Sequence, residues 1–472
     1  MNRADRGSAV IAISELIENQ KPGRFAFALI AWCFLIVLID GYDQVAVAFS
    51  APALIKAWHT NAVSFGHVFG YSLFGVLVGS LLLGFIGDRF GRRPAIIYGS
   101  LFFGALTYAC AYAASLEQLS VLRFFAGIGM GGVVPNTVAL VSEYAPKARR
   151  ATWITLMFSG FSVGAGGGGV VASWLLPHFG WPVVFQVGGL SAVAVALASF
   201  ALLPESIRFL VLNQRAPHRI ARLARHLGAG VAVSDDAAYV LDDEKPAQRT
   251  SVVALFGNGL GVVTPLLWIL FILNSLALHF LQNWLPILFS MSVVAPERAA
   301  QLAMMFPVGG TVGALALSRF VDRYGIAVIA MLAVLGCPIT ASLGMPMPTA
   351  LLYAAVFASG VCVIGAQFAL YGVSGMVYPT ALRSAGVGFA IGVGKLGSVV
   401  GSLLGGILLA MHLGIAKLFF EVSTVFVFIF LFASLLAWTQ RGTAIWRQEA
   451  VSAPASGDSD LPTSRPTFGS NG

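Results

Sequence analysis

Charge is scarce in this chain: Asp, Glu, Lys and Arg make up only 10% of its 472 residues, against 58% hydrophobic residues and a mean hydropathy of +0.85. That excludes an ordinary soluble domain, in which about a quarter of residues are charged. Cysteine is scarcer still. Cys33, Cys110, Cys337 and Cys362 fall inside apolar runs at unrelated spacings, so they read as packing residues and imply neither a disulfide framework nor a metal site. The glycine-rich run GFSVGAGGGGV (Gly160 to Val170) lacks the Lys-Ser or Lys-Thr of a phosphate-binding loop, which leaves close helix packing as its reading and provides no ATP-driven motor. No set of nucleophile, base and orienting group is present, so neither an enzyme nor a cofactor is expected.

What the chain has in abundance is long apolar runs. Twelve recur between 25–49 and 416–438, each long enough to cross a hydrocarbon core of about 30 Å. The expected fold is therefore an all-α integral membrane protein whose main partner is the lipid bilayer. The net charge of +8 does not point to nucleic acid, because its distribution follows the membrane. Of the 28 Lys and Arg, only Lys56, Arg298 and Lys417 fall in loops on the side opposite the N-terminus, and Arg123 and Lys395 lie within or at the edge of spans. This positive-inside pattern puts both termini in the cytoplasm, and no cleaved signal peptide is read.

The runs divide into two blocks of six. The expected organisation is a cytoplasmic tail (1–24), a first bundle (25–203), a central cytoplasmic loop (204–261), a second bundle (262–438) and a disordered tail (439–472) rich in Ser, Pro and Gly. Within the central loop, RAPHRIARLARHLG is expected to form a surface amphipathic helix carrying Arg215, Arg219, Arg222 and Arg225. An internal repeat links the halves. GFIGDRFGRRP after the second run and ALALSRFVDRYG after the eighth both contain Asp-Arg-x-Gly, at Asp88, Arg89, Gly91 and at Asp322, Arg323, Gly325. Two pseudo-symmetric six-helix bundles follow, with these loops, including Arg92, placed to hold helix ends together in one conformation and release them in another.

Two stretches carry charge where charge is costly. LIDGYDQVAVAFSAPA puts Asp40 and Asp43 deep in the first run, and Lys395 lies twelve residues beyond Arg383 in the eleventh. An ionisable group at mid-membrane costs about 2.5–3.5 kcal/mol on insertion scales, so these three need partners or a wet cavity. Rises of about 24 Å from Arg24 and about 18 Å from Arg383 bring them to similar depth. Asp40 and Asp43, three apart, share a helical face and read as a proton-responsive pair. Lys395 reads either as an anchor for an anionic substrate or as a structural staple to those acids. Gln282 and Asn283 in the seventh run either bind substrate oxygens or join helices, and Tyr42, Phe161, Phe368 and Tyr371 either stack an aromatic ring or pack the core. Arg123 either caps a helix end or couples to Glu143 or the proton. Glu143 and Arg383, near the cytoplasmic edge, are either gating groups or solvated ones.

GDRFGRRP, RFFAGIGMGG (Arg123 to Gly132) and PESIRFL (Pro204 to Leu210) resemble signatures of the major facilitator superfamily, and the resemblance runs from Arg24 to Gln440. DGYD, SEYAPKARRA, NWLP and YPTALRSAGVGFAIGVGKLGS together resemble its aromatic acid:proton symporter branch, with Lys395 standing where that branch often has Arg. The resemblance implies a bacterial inner-membrane importer of a small aromatic carboxylate of the benzoate or hydroxybenzoate class with a proton, working by alternating access as a monomer. A carrier of another small organic anion, by symport or uniport, and a non-transporting ligand sensor remain the rival readings.

Overall fold

The computed structural model describes residues 10–20, 23–146, 149–213, 217–227, 238–240, 252–257, 260–292, 296–378 and 382–452. A short strand, β1 (Val10–Ala12), leads into a one-turn helix, α1 (Ile13–Glu18). Six long helices follow: α2 (Arg24–Ala57), α3 (Phe65–Phe90), α4 (Arg92–Cys110), α5 (Leu116–Tyr144), α6 (Arg150–Phe179) and α7 (Pro182–Leu202). The central loop carries α8 (Ile207–Leu212), α9 (Pro217–His226) and β2 (Ala238–Val240). The second half holds α10 (Val263–Met291), the short α11 (Pro296–Ala303), α12 (Met305–Tyr324), α13 (Ala327–Ser342), α14 (Thr349–Val377), α15 (Arg383–Ala410) and α16 (Ile415–Ser452).

Helices dominate because lipid offers no partner to a free backbone N–H or C=O, and a helix satisfies both internally. Among the described residues, ten helical segments are long and apolar enough to cross a membrane. The shorter α4 and α13 bring the long helices to the expected six in each half. The boundaries follow local chemistry. Ser115 caps α5 by accepting from the Gln118 N–H at 3.2 Å, and Asn61 accepts from the Ser64 N–H at 3.1 Å ahead of α3. The glycines of the two repeat copies do the same work: Gly91 (φ 111°) separates α3 from α4, and Gly325 (φ 55°) separates α12 from α13, both in backbone that side chains rarely adopt.

The halves are built alike. In the first, α3 packs on α5 and α2 on α6; in the second, α12 packs on α14 and α10 on α15. Each pair meets backbone to backbone at glycines. A Cβ at Gly75 would fall 2.1 Å from the Phe124 carbonyl oxygen, one at Gly164 would fall 1.9 Å from that of Leu38, and one at Gly397 would fall 2.1 Å from that of Ile272. Between halves, α3 meets α15, α2 meets α10, and α6 meets α11 and α12. The close approaches lie at the end remote from the chain termini, where Gly66 faces Gly406 and Gly169 faces Met304. At the opposite end Gly84 on α3 and Gly388 and Gly392 on α15 face open space. The bundles thus meet closely at the end remote from the termini, and these three glycines at the end carrying the repeat loops, here called the open end, meet no atom of the other bundle.

Three features add to or depart from the sequence reading. The membrane-spanning fold is all-α as expected, and outside it lies a two-stranded parallel ribbon, in which Val10, Ile11 and Ala12 of β1 pair with Ala238, Tyr239 and Val240 of β2. Within the expected N-terminal tail, α1 is ordered: Ile13, Leu16 and Ile17 are buried in the apolar cluster that also holds Tyr144, Ile207 and Leu210. The tail expected to be disordered from 439 begins as helix, since α16 continues to Ser452; 453–472 lie outside the described residues. The amphipathic helix is present as α9, with Arg219, Arg222 and Arg225 exposed and Ile220, Ala221 and Ala224 buried; Arg215 lies outside the described residues.

Candidate functional site

Tight packing of α2 on α6 and of α3 on α5 draws charged side chains into the middle of the first bundle. Asp43 on α2 and Arg123 on α5 are both buried, 0% and 1% exposed, and form an ion pair. Arg123 Nη1 donates to Asp43 Oδ1 at 3.1 Å and its Nη2 lies 3.0 Å from Oδ2, the second contact being an ion pair too bent to count as a hydrogen bond. Thr107 on α4 donates to the same Oδ1 at 2.7 Å, and Arg123 Nη2 also donates to the Asp43 carbonyl at 3.3 Å. Two charges taken from water at such cost persist only with close geometry and further hydrogen bonds, which this cluster supplies. Arg123 therefore neither caps a helix end nor reaches Glu143; its partner is the acid that sequence grouped with Asp40.

Asp40, one helical turn from Asp43, is buried, and its Oδ1 has no hydrogen-bond partner. Across the seam stands Lys395 on α15, half-buried and in no direct ion pair among the described residues. The two act on one another electrostatically, and Asp43 and Arg123 act on Asp40 as well. A buried acid of the first bundle and a base of the second thus lie within electrostatic reach of one another. Beside them α10 contributes His279, which feels the Lys395 charge, and Gln282, whose amide donates to the Gln44 side chain of α2 at 3.5 Å across the seam. Gln44 escaped the sequence reading although it follows DGYD directly, because an amide beside two acids gave no separate signal.

Asn283 and Tyr42 are placed as packing groups. Asn283 donates to Ser402 Oγ at 2.8 Å and the neighbouring Trp284 to the Ser402 carbonyl at 2.9 Å, pinning α10 to α15. The Tyr42 hydroxyl donates to the Val184 carbonyl at 3.0 Å, and its ring lies where a Cβ on Gly188 would be 2.8 Å away. For both, these contacts match the packing alternative: the Asn283 amide nitrogen and the Tyr42 hydroxyl have protein partners, set by a helix register that one sequence does not reveal. Tyr371 instead stands between Phe271 and Phe368, with ring centroids at 5.7 and 6.0 Å, an aromatic group near α15.

A second cluster occupies the open end. Arg92 pairs with Asp88 at 2.5 Å and with Glu143 at 3.5 Å, and Ser206 donates to the other oxygen of Glu143. Glu205 accepts from the backbone N–H groups of Arg92 at 3.0 Å, Arg93 at 3.2 Å and Ser206 at 2.8 Å. Burial pushes the Glu205 carboxyl above its ordinary value, and these donors and the Arg93 charge oppose that rise. Tyr144 donates to the Glu205 carbonyl at 2.6 Å and Gln20, just after α1, to the Tyr144 carbonyl at 2.5 Å. Glu205 and Ser206 thus tie the first repeat loop to the end of α5, a role not assigned to them from PESIRFL. Arg89 and Arg323 are exposed and lie over the rings of Phe90 and Tyr324. The side chains of Asp322 and Arg383 lie outside the described residues.

A cleft of about 690 Å³ opens elsewhere, between the far ends of α3 and α5, lined by His67, Tyr71, Glu117 and Ser120 among others. It shares no lining residue with the charged site. Among the described residues no group of His, Cys, Asp and Glu could hold a metal ion.

The family described as Major Facilitator Superfamily matches residues 33–374. The chain is similar to a gallate transporter of Pseudomonas putida, 35% identical over 413 residues, covering 87% of this chain and 92% of that protein. It is 33% identical over 417 residues to the 4-hydroxybenzoate transporter PcaK of the same species, with 87% and 92% covered. It is 30% identical over 413 residues to a benzoate transport protein of Acinetobacter baylyi, with 86% and 88% covered. Among solved structures, a D-xylose-proton symporter superimposes with a TM-score of 0.68 at 16% identity, covering 87% of this chain and 97% of that one. An inward-facing bacterial homolog of the human lysosomal transporter Spinster gives 0.62, also at 16% identity, with 89% and 97% covered. At such identity the two structures speak to the fold alone.

Proposed function

The chain belongs to the major facilitator superfamily, and from that premise we propose that it imports an aromatic carboxylate together with a proton by alternating access. The feature that supports this reading is the electrostatic influence on one another of buried Asp40 on the first bundle and Lys395 on the second. In the empty carrier the two charges offset one another. A carboxylate arriving at Lys395 takes over the ammonium as its counter-charge and leaves Asp40 as an uncompensated buried anion. A proton on the free Oδ1 of Asp40 removes that charge, so the cavity is again neutral with substrate and proton both bound. Empty and fully loaded carriers can close their seam; half-loaded ones hold a charge in low dielectric and cannot. That rule is the coupling. The Asp43–Arg123 pair keeps its neutrality throughout and fixes the helix bearing Asp40.

The excess of Lys and Arg on the side of the repeat loops supports placing both termini in the cytoplasm of a bacterial inner-membrane protein, so the open end faces inward. One chain holds both halves of the site, which favours a monomer as the working unit. The gate is proposed to be the Asp88–Arg92–Glu143 cluster, with Arg89 alongside and Asp322, Arg323 and Arg383 in the equivalent region of the second half. The test is uptake of labelled 4-hydroxybenzoate into proteoliposomes, with xylose and a short dicarboxylate as comparison substrates. Accumulation of the aromatic acid alone, and only under an inside-alkaline gradient, is expected. Gradient-independent equilibration would establish a uniporter, and absence of aromatic uptake would overturn the reading.

A further inference from the structure

We propose that His279 accepts a hydrogen bond from a hydroxyl group on the substrate ring and so makes this carrier prefer phenolic acids to unsubstituted ones. The inference rests on the proposed function and specifies the chemistry of that site.

Ser275, His279 and Gln282 follow one another at four- and three-residue spacing on α10 and share a face. That face runs from the neighbourhood of Lys395 to the seam. Its lower end is marked by Ser275, whose Oγ would lie 3.3 Å from a Cβ on Gly394, the residue before Lys395. Its upper end is marked by Gln282, which reaches Gln44 of the other bundle. His279 stands between them, half-buried.

Its Nδ1 lies 2.9 Å from the Ser275 carbonyl oxygen. A carbonyl can only accept, so Nδ1 carries the hydrogen, and in the neutral ring Nε2 is left with a lone pair. That nitrogen has no hydrogen-bond partner among the described residues, whereas its neighbours on the helix are engaged: Ser275 with Gln367 at 3.4 Å, Gln282 with Gln44, Asn283 with Ser402. The charged groups facing the ring are Lys395, which acts on it directly, and Asp40 beyond it. Lys395 offers only donors, suited to a carboxylate. A phenolic hydroxyl at the other side of the ring is a donor that needs an acceptor, and Nε2 of the imidazole ring that feels the Lys395 charge supplies one. An unsubstituted ring leaves that acceptor without a partner once water is excluded, which costs affinity.

The experiment measures, for wild type, His279→Gln, His279→Phe and His279→Leu in proteoliposomes, the ratio of 4-hydroxybenzoate to benzoate half-saturating concentrations. The ratio is read independently of how far each variant lowers uptake overall. Wild type should favour the hydroxylated acid by about tenfold or more, the scale of a half-buried hydrogen bond. His279→Phe and His279→Leu should bring the ratio near unity, and His279→Gln, whose amide oxygen reaches about the place of Nε2, should restore part of it. A wild type without preference, or a preference unchanged in both apolar variants, would overturn the assignment while leaving aromatic transport standing. Failure of wild type to carry either acid would sink the proposed function, and this inference with it.

Discussion

Asp40 and Asp43 sit one turn apart on one helix, yet the protein treats them differently. Asp43 is held by Arg123 and Thr107, and Asp40 keeps an oxygen free. Asp40→Asn should therefore mimic the protonated, substrate-ready form permanently. The loaded carrier can still reorient, but the empty one is left with an uncompensated Lys395 and cannot return. Exchange of internal for external substrate should survive while proton-driven net uptake falls by at least about tenfold, as expected for one unpaired buried charge. Counterflow and gradient-driven uptake measured in the same vesicles check this, and gradient-driven uptake at the wild-type rate would remove Asp40 from the coupling. Asp40, Asp43 and Lys395 were legible in the sequence because a charge in an apolar run is conspicuous. The partner of Arg123 was not, because pairing across helices depends on register and rotation, which leave no local pattern. Thr107 gave no signal at all, being one hydroxyl in a run where such residues usually bond their own helix.

Most helix ends were readable to within a few residues, since length and hydropathy decide them. The larger differences are α2 reaching Ala57, α12 running Met305–Tyr324 against an apolar run of 299–317, and α16 reaching Ser452. The β1–β2 ribbon was unreadable: three-residue strands carry too little pattern, and their pairing joins segments more than two hundred residues apart. Glycine spacing gives the element scale its own test. Gly164 and Gly167 lie on α6; a Cβ on the first would strike the Leu38 carbonyl oxygen at 1.9 Å, whereas the second faces open space. Gly164→Ala must push α6 from α2 and should lower stability by about 1–3 kcal/mol, the usual cost of overpacking. Gly167→Ala should be neutral or stabilising by a few tenths of a kcal/mol up to about 1. Thermal unfolding of the detergent-solubilised protein compares them, and equal midpoints would contradict the packing described.

At the scale of the whole molecule, two similar bundles meet at a seam, and sequence announced the duplication through the two Asp-Arg-x-Gly loops. It could not announce which end of the seam is closed, since that depends on contacts such as Gly66 against Gly406 that exist in one conformation only. A base and a buried acid on the two bundles, within electrostatic reach of one another, have an electrical consequence. With Lys395 balanced by ionised Asp40 when empty, and by a monovalent acid anion when Asp40 is protonated, neither journey across the membrane displaces net charge. Membrane voltage, worth about 2.3 kcal/mol per charge per 100 mV, then has nothing to act on. Clamping the potential with potassium and valinomycin should leave uptake unchanged, and only the acidity difference should set the final accumulation, about tenfold for each unit at one proton per anion. Voltage-driven uptake without an acidity difference would mean that a further charge rides with the cargo. A carrier so built is electrically silent, and it keeps its driving force in a cell whose membrane has depolarised for as long as the medium outside stays more acidic than the cytoplasm.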